Sequence, residues 1–322
     1  MIKKESIYYE SRSGKNKIHA VKWAPVGKIK AILIIAHGMS EHIERYDDFA
    51  SYLAERGILV AGCDYLGHGK TVVGQEKHGY ICAHDPATVI VRDVHRLKKI
   101  IEVDNPGIPQ IVMGHSMGSF VIRNYLCRYG SGVDAAILMG TGMPPKAIIL
   151  ISRILANIQA RFIGGEKPAH FLDKMAFGGY NKKIADASSR FSWLSVNSEN
   201  VEKYEADSLC GFMFSINGFQ MIAELLYRLS KPKNVALIPS NLPILLVSGS
   251  EDPVGDYVVG LHRVKKSLEK AGVSDITLTL YPWGRHEILH EEEKMEVYSD
   301  IIYWLEWKLD INLGGSYSNR ET

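Results

Sequence analysis

The stretch Gly114-His115-Ser116-Met117-Gly118 lies between an apolar run and a helix-like run, and this setting constrains the fold more than any other feature. Residues 109–113, Pro-Gln-Ile-Val-Met, read as a short buried strand, and residues 119–126 carry apolar side chains at helical spacing. Strand, tight turn and helix together put Ser116 at the apex of a sharp bend, with its hydroxyl above the end of a sheet. The residues two before and two after such a serine must approach closely, and only glycine-sized groups fit there. Gly114 and Gly118 occupy those two positions.

The flanking sequence supplies the sheet that this turn needs. Residues 18–23, 31–36, 58–64 and 134–139 read as strands, and residues 46–56 and 87–103 read as helices. This alternation predicts an α/β fold with a mostly parallel central sheet and helices on both faces. The rhythm breaks after Met143. Residues 144–229 show helical patches and a polar segment, 193–200, but no buried strand. The sheet resumes at 242–249, followed by a helix over 257–270, a strand over 276–281 and a last helix over 291–308. The small, polar tail, 312–322, is expected to be disordered. The expected organisation is a discontinuous core, 1–143 and 230–322, interrupted by a helical cap, 144–229.

At 322 residues the chain is long for one core but normal for one large α/β domain with an insertion. A formal net charge of +2 gives no footprint for a nucleic-acid partner. Cys63, Cys82, Cys127 and Cys210 show neither C-x-x-C spacing nor a disulfide framework, so no metal and no cofactor is expected. The N-terminus lacks the apolar stretch of a signal peptide, and no run reaches about 20 apolar residues. The expectation is a cytoplasmic protein.

An acyl-transferring serine needs a base, a group that orients the base, and donors for the oxyanion. In this architecture the acid and then the base follow the serine along the chain. Asp252 follows the strand at 242–249, and Pro253 biases its backbone toward a fixed turn. Three histidines follow Asp252. His262 lies in a charged helix and His290 at the start of the last helix, where solvated or capping roles are expected. His286 lies in the loop Pro282-Trp283-Gly284-Arg285-His286-Glu287, just after a strand, and is the expected base. The backbone N–H of Met117 is one oxyanion donor. The second is expected from Met39, in the loop His37-Gly38-Met39-Ser40-Glu41-His42 that follows an early strand.

With these residues placed, the chain resembles the α/β-hydrolase superfamily over nearly its full length. More narrowly it is similar to the monoglyceride lipase and lysophospholipase family, also grouped with the serine aminopeptidase-like hydrolases. The segments that carry the resemblance are His37 to His42 with Arg45-Tyr46, Asp64-Tyr65-Leu66-Gly67-His68-Gly69 and Gly114 to Gly118. Gly249-Ser250-Glu251-Asp252-Pro253-Val254 and Gly284-Arg285-His286-Glu287 complete it, and Asp207 to Phe212 looks like the exit from the family's cap. The family often has Ser where this chain has Thr71.

The resemblance implies a serine hydrolase acting on a small-molecule acyl ester. In the cap, residues 144–162 make a broad apolar surface with a narrow polar stripe of Lys146, Arg153, Asn157 and Arg161. Such a face either lines an acyl-chain tunnel, packs into the cap, or touches a membrane to extract lipid. Ile149, Leu155, Phe162, Phe212 and Phe214 are the candidate pocket residues. Two other readings stay open at this point. An aminopeptidase or amidase on the same triad needs an acid to hold a substrate amine, for which Glu199, Glu202 and Glu205 are candidates. A non-catalytic ligand-binding protein needs none of the triad.

Overall fold

The computed structural model describes residues 2–74, 77–185 and 187–315. Eight strands form one sheet: β1 (Ile2–Glu10), β2 (Lys17–Pro25), β3 (Ala31–Ala36), β4 (Ile58–Cys63), β5 (Gln110–His115), β6 (Ala135–Met139), β7 (Ile244–Gly249) and β8 (Ile276–Tyr281). Their order is β1-β2-β4-β3-β5-β6-β7-β8. β1 and β2 pair antiparallel, as do β2 and β4, while every other pairing is parallel.

A parallel strand covered on both faces must be apolar on both, and β3 shows this directly. All six of its residues are buried. Ile32, Ile34 and Ala36 join one core, and Ala31, Leu33 and Ile35 join the other, as the two-residue period of a strand requires. Helices α1 (Asp47–Glu55) and α10 (Lys294–Leu309) close the second core; α2 (Pro86–Val103), α3 (Met117–Tyr129) and α9 (Val259–Lys270) close the first. Local chemistry sets some of the ends. Asp85 accepts from the Thr88 amide with Pro86 in the first turn of α2, and α1 opens on Asp47 and Asp48.

Between β6 and β7 lie α4 (Lys146–Ile163), α5 (His170–Phe177), α6 (Ser198–Ala206), α7 (Ile216–Leu229) and the short α8 (Pro232–Val235). Among the described residues no strand of the sheet comes from this insert. α7 packs against α4 on one side and against α2 and α3 on the other. Arg153 of α4 pairs with Glu224 of α7 at 2.7 Å.

Three departures from expectation have physical reasons. β1 carries four charged side chains and only Tyr9 of it is buried, so as an edge strand it lacks the apolar signature of its neighbours. The last helix begins at Lys294 rather than 291, because residues 282–293 are committed to the loop that holds His286. The expected polar tail starts ordered: Leu313 is buried, and its amide and that of Gly315 donate to Glu306. Residues 316–322 of that tail lie outside the described residues.

Candidate active site

β5 runs straight into Ser116, and α3 begins at the next residue. Ser116 has φ 54° and ψ −123°, a sparsely populated backbone for a residue with a Cβ. The turn closes only because both flanking glycines lack side chains. A Cβ at Gly118 would lie 1.9 Å from the Ala36 carbonyl oxygen, and one at Gly114 would lie 2.3 Å from that of Gly118. The 37–42 loop arches over the serine. A Cβ at Gly38 would stand 2.6 Å from Glu41 Oε1 and 3.2 Å from Ser116 Cβ, so a side chain there would have to displace the Glu41 carboxylate and crowd the serine. Met39 and Met117 line the same cavity as Ser116.

Asp252 and His286 meet across the ends of β7 and β8. Asp252 Oδ2 lies 2.9 Å from His286 Nδ1, and both side chains are buried. The carboxylate also accepts from the Val254 amide at 2.8 Å and the Ser248 hydroxyl at 3.2 Å. Burial alone would raise its pKa. His286, followed by the Val254 amide, outweighs that and holds the carboxyl below its usual range. With Nδ1–H donated to Asp252, Nε2 presents its lone pair. That Nε2 is buried without a hydrogen-bond partner, and His286 lines the cavity that holds Ser116. The Trp193 ring of the insert stands 5.2 Å from the imidazole. The other two late histidines are elsewhere. His262 is exposed on α9. His290 is half-buried, edge-on to Tyr46 at 6.4 Å, and burial pushes its pKa down to about 4.

A buried charged network underlies the site, and its membership was not apparent from the sequence. One oxygen of Glu41 accepts from the Gly38 amide, the Tyr46 hydroxyl at 2.9 Å and His115 at 3.3 Å; the other accepts from Arg45 at 2.9 Å. Arg45 also makes a two-toothed pair with Glu287, at 2.6 and 2.7 Å, and Glu287 accepts from Asn200 of α6 at 2.7 Å. Burial opposes both carboxylate charges. His115 and Arg45 hold Glu41 well below its usual range, and Arg45 holds Glu287 at about 2. Glu41 and Arg45 sit four apart and Glu287 follows His286, but no local signal joins positions 45 and 287.

The polar segment noted at 193–200 finds its purpose here. Arg285 donates to the carbonyls of Ser192 and Ser195, both at 2.9 Å. Glu291 accepts from the Ser195 hydroxyl and from the amides of Val196 and Asn197. The insert therefore clasps the His286 loop. On the other side His42 pairs with Asp207 at 2.8 Å, and Tyr204 donates to the Ser40 carbonyl at 2.9 Å. Thr71, the position noted for its departure from the resembled pattern, uses its hydroxyl twice: it donates to the Asp64 carbonyl at 2.7 Å and accepts from the His19 amide at 2.9 Å.

The cavity has a volume of about 820 Å³. Of the five candidate pocket residues, Phe212 lines it and the other four do not. α4 presents Ile148, Ile151, Ser152 and Ala156 to the cavity, one helical stripe; Leu155 shares that face without lining the cavity, and Ile149 is buried beside it. Phe162 is past its end and 84% exposed, while Phe214 is wholly buried behind Phe212 in the core. Leu172, Phe177, Phe219, Ile222 and Leu226 take the places those four were given. Glu199, Glu202 and Glu205 are exposed and do not line the cavity.

Residues 27–293 match the Hydrolase_4 family, described as Serine aminopeptidase, S33. The chain is 28% identical over 285 residues to a monoacylglycerol lipase of Mycolicibacterium smegmatis, covering 88% of this chain and 90% of that one. It is 28% identical over 295 residues to the monoglyceride lipase of Homo sapiens, covering 88% and 84%. Among solved structures it is similar to a thermostable carboxyl esterase from Bacillus coagulans in complex with glycerol, with a TM-score of 0.89, 25% identity and coverage of 96% and 100%. The expected α/β-hydrolase fold is therefore the observed one, and the chain is an ester hydrolase that belongs to the Serine aminopeptidase, S33 family.

Proposed function

We propose that the chain cleaves carboxylic monoesters with a medium or long acyl chain, a monoacylglycerol or a lysophospholipid, through an acyl-enzyme on Ser116. Ser116 attacks the ester carbonyl. His286 Nε2 takes the serine proton and returns it to the departing alcohol; Asp252 stays ionised and fixes the imidazole tautomer. The amides of Met39 and Met117 receive the oxyanion, each donor contributing on the order of 3 kcal/mol to lowering the barrier. Water then releases the acid as His286 repeats its cycle. No metal or organic cofactor takes part in this scheme.

The observation that carries the reading is the buried Asp252–His286 pair, its Nε2 without a hydrogen-bond partner, with His286 in the wall of the cavity that Ser116 and apolar side chains share. Residues 144–229 act in this reading as a cap, with Phe177, Phe219, Ile222 and Leu226 as its acyl-facing wall. The monoglyceride lipases among the relatives support a glyceryl monoester. The acids that line the cavity are already paired, Glu41 and Glu287 with Arg45 and Asp173 with Arg190, which leaves none free for a substrate amine and disfavours the peptidase reading.

Ile148, Ile151, Ile154, Ile158 and Phe162 of α4 are each at least 47% exposed. An apolar helix face beside the mouth of a lipid site suits contact with a bilayer surface. Among the described residues no helix is long and apolar enough to cross a membrane.

The test is a series of p-nitrophenyl esters of rising chain length beside aminoacyl anilides and a fluorophosphonate label. A buried methylene contributes about 0.8 kcal/mol, so kcat/KM rises roughly several-fold per added carbon pair until the wall is covered. Triacylglycerols are poor substrates. Preference for acetyl esters with no gain up to octanoyl overturns the acyl-chain assignment, faster cleavage of anilides restores the peptidase, and failure to take the label restores the binding protein.

A further inference from the structure

His115 occupies the variable position before the serine, and the mechanism above leaves it without a role. It is buried in the wall of the cavity that holds Ser116. Its Nδ1 faces Glu41 Oε1 at 3.3 Å, and its Nε2 faces the backbone carbonyl of His286 at 3.2 Å. A carbonyl oxygen can only accept. A carboxylate held ionised by Arg45, Tyr46 and the Gly38 amide can only accept as well. A neutral imidazole has one N–H and satisfies one of these two acceptors; an imidazolium has two and satisfies both.

Charge balance gives the same answer independently. The buried network holds two carboxylates, Glu41 and Glu287, against one guanidinium, Arg45. It lacks one positive charge, and uncompensated charge is costly in the interior. The other imidazoles nearby do not supply it. Burial pushes down the pKa of His37 and of His290. His286 is committed to Asp252.

We infer that His115 is held as an imidazolium, and that its two N–H groups tie the 37–42 loop, through Glu41, to the backbone of the base, His286. His115 is thus a positioning residue: it passes no proton in the scheme above, but sets the distance between the oxyanion donors and the base. This rests on the reading of His286 and Met39 given above. The charged and titratable groups that face His115 are Glu41, Arg45 and Tyr46 from the segment after β3, Asp252 from the loop after β7, and His286, Glu287 and His290 from the loop after β8. Burial opposes the charge on His115, but Glu41, then Glu287 and the His286 carbonyl, raise its pKa above the usual imidazole range. The sign follows: the tie is whole below that raised pKa and is lost as pH rises through it.

The test has a readout that does not depend on activity. The full chain is labelled with 15N-histidine and its ring nitrogens are followed by NMR across pH. The His115 signals are identified by their loss in His115→Gln and by the neighbouring His286 ring, centred 4.7 Å away. Both nitrogens should be protonated at neutral pH, with deprotonation only in the alkaline range. A single neutral tautomer at pH 7 overturns the inference, whether or not the variant folds. In kinetics, wild-type kcat/KM should fall on the alkaline side in step with that titration. His115→Gln should lower kcat roughly tenfold or more at an almost unchanged KM, since misplacement of about 1 Å can cost a hundredfold, and should lose that alkaline limb. An alkaline limb identical in variant and wild type overturns the positioning role. If Ser116→Ala retains full activity, the catalytic reading has failed, yet the NMR result still decides the charge state of His115.

Discussion

The insert between β6 and β7 has two halves that meet the core in opposite ways. Residues 192–212 are bound by polar contacts: Ser192 and Ser195 to Arg285, Val196 and Asn197 to Glu291, Asn200 to Glu287, Tyr204 to Ser40 and Asp207 to His42. Residues 146–177 are bound along one edge to α7 and leave a row of exposed isoleucines and Phe162. Directional bonds fix positions to a fraction of an ångström, whereas an apolar face tolerates sliding and exchange of partners. The first half is suited to set the geometry of the loops bearing Met39 and His286. The second is suited to meet a substrate of variable length.

The comparison assumes that both halves serve one serine, and the largest expected effect tests this. Ser116→Ala should lower kcat by about 10⁴ to 10⁶ while leaving thermal unfolding unchanged, and His286→Ala should do the same, whereas His290→Ala should keep most of the activity. The reverse ranking of the two histidines would move the base. Arg45→Ala breaks the polar half from beneath, since it leaves two buried carboxylates without their cation. We expect a loss of about 3–5 kcal/mol, which calorimetry should show as a fall in Tm of roughly 10 °C. A Tm within a degree of wild type would mean that the network is ornamental.

The same network predicts an acid limit. Glu287 is held at about 2 against an ordinary value of 4.5. Its folded pKa is depressed, so its contribution is whole above 4.5 and is lost as pH falls toward 2. Urea titrations at stepped pH should show the midpoint dropping through that window, with the drop reduced in Glu287→Gln. The smallest effect belongs to the apolar half. Ile154→Glu with Ile158→Glu, both exposed and outside the cavity wall, should leave Tm nearly unchanged and spare turnover of a soluble butyrate ester, yet weaken sedimentation with lipid vesicles by roughly several-fold. Equal binding by variant and wild type would return this face to mere cap packing.

How much of this was legible in the sequence follows the same division. Each core element has a local cause, such as the doubly apolar β3, the glycines on either side of Ser116 or the proline after Asp252, and these were readable one segment at a time. Asp252 and His286 were chosen by chain order and strand ends, and the fold brings them to 2.9 Å. Arg45 and Glu287 were not paired in advance, because they are 242 positions apart and each looks like an ordinary surface charge until buried. The pocket was legible least. Apolar residues occur on most faces of α4, so the pattern cannot tell Ile148, Ile151 and Ala156, which line the cavity, from Ile149 and Leu155, which do not.

The position of the insert also bears on how the chain reaches this state. β6 and β7 are adjacent in the sheet, yet about 100 residues separate them, so their pairing closes a long loop whose entropy grows only with the logarithm of its length. The equilibrium cost of the insertion is therefore small; its cost is in time. Until β7 arrives, Ile137 and Leu138 form an open parallel edge without the strand that will cover it, a state that other chains can capture. Asp252 and His286 both lie beyond this junction, so the pair that the proposed mechanism sets against Ser116 comes together only once β7 has docked. Nascent chains halted before β7 should expose Ser116 on an elbow that has formed but does not yet catalyse.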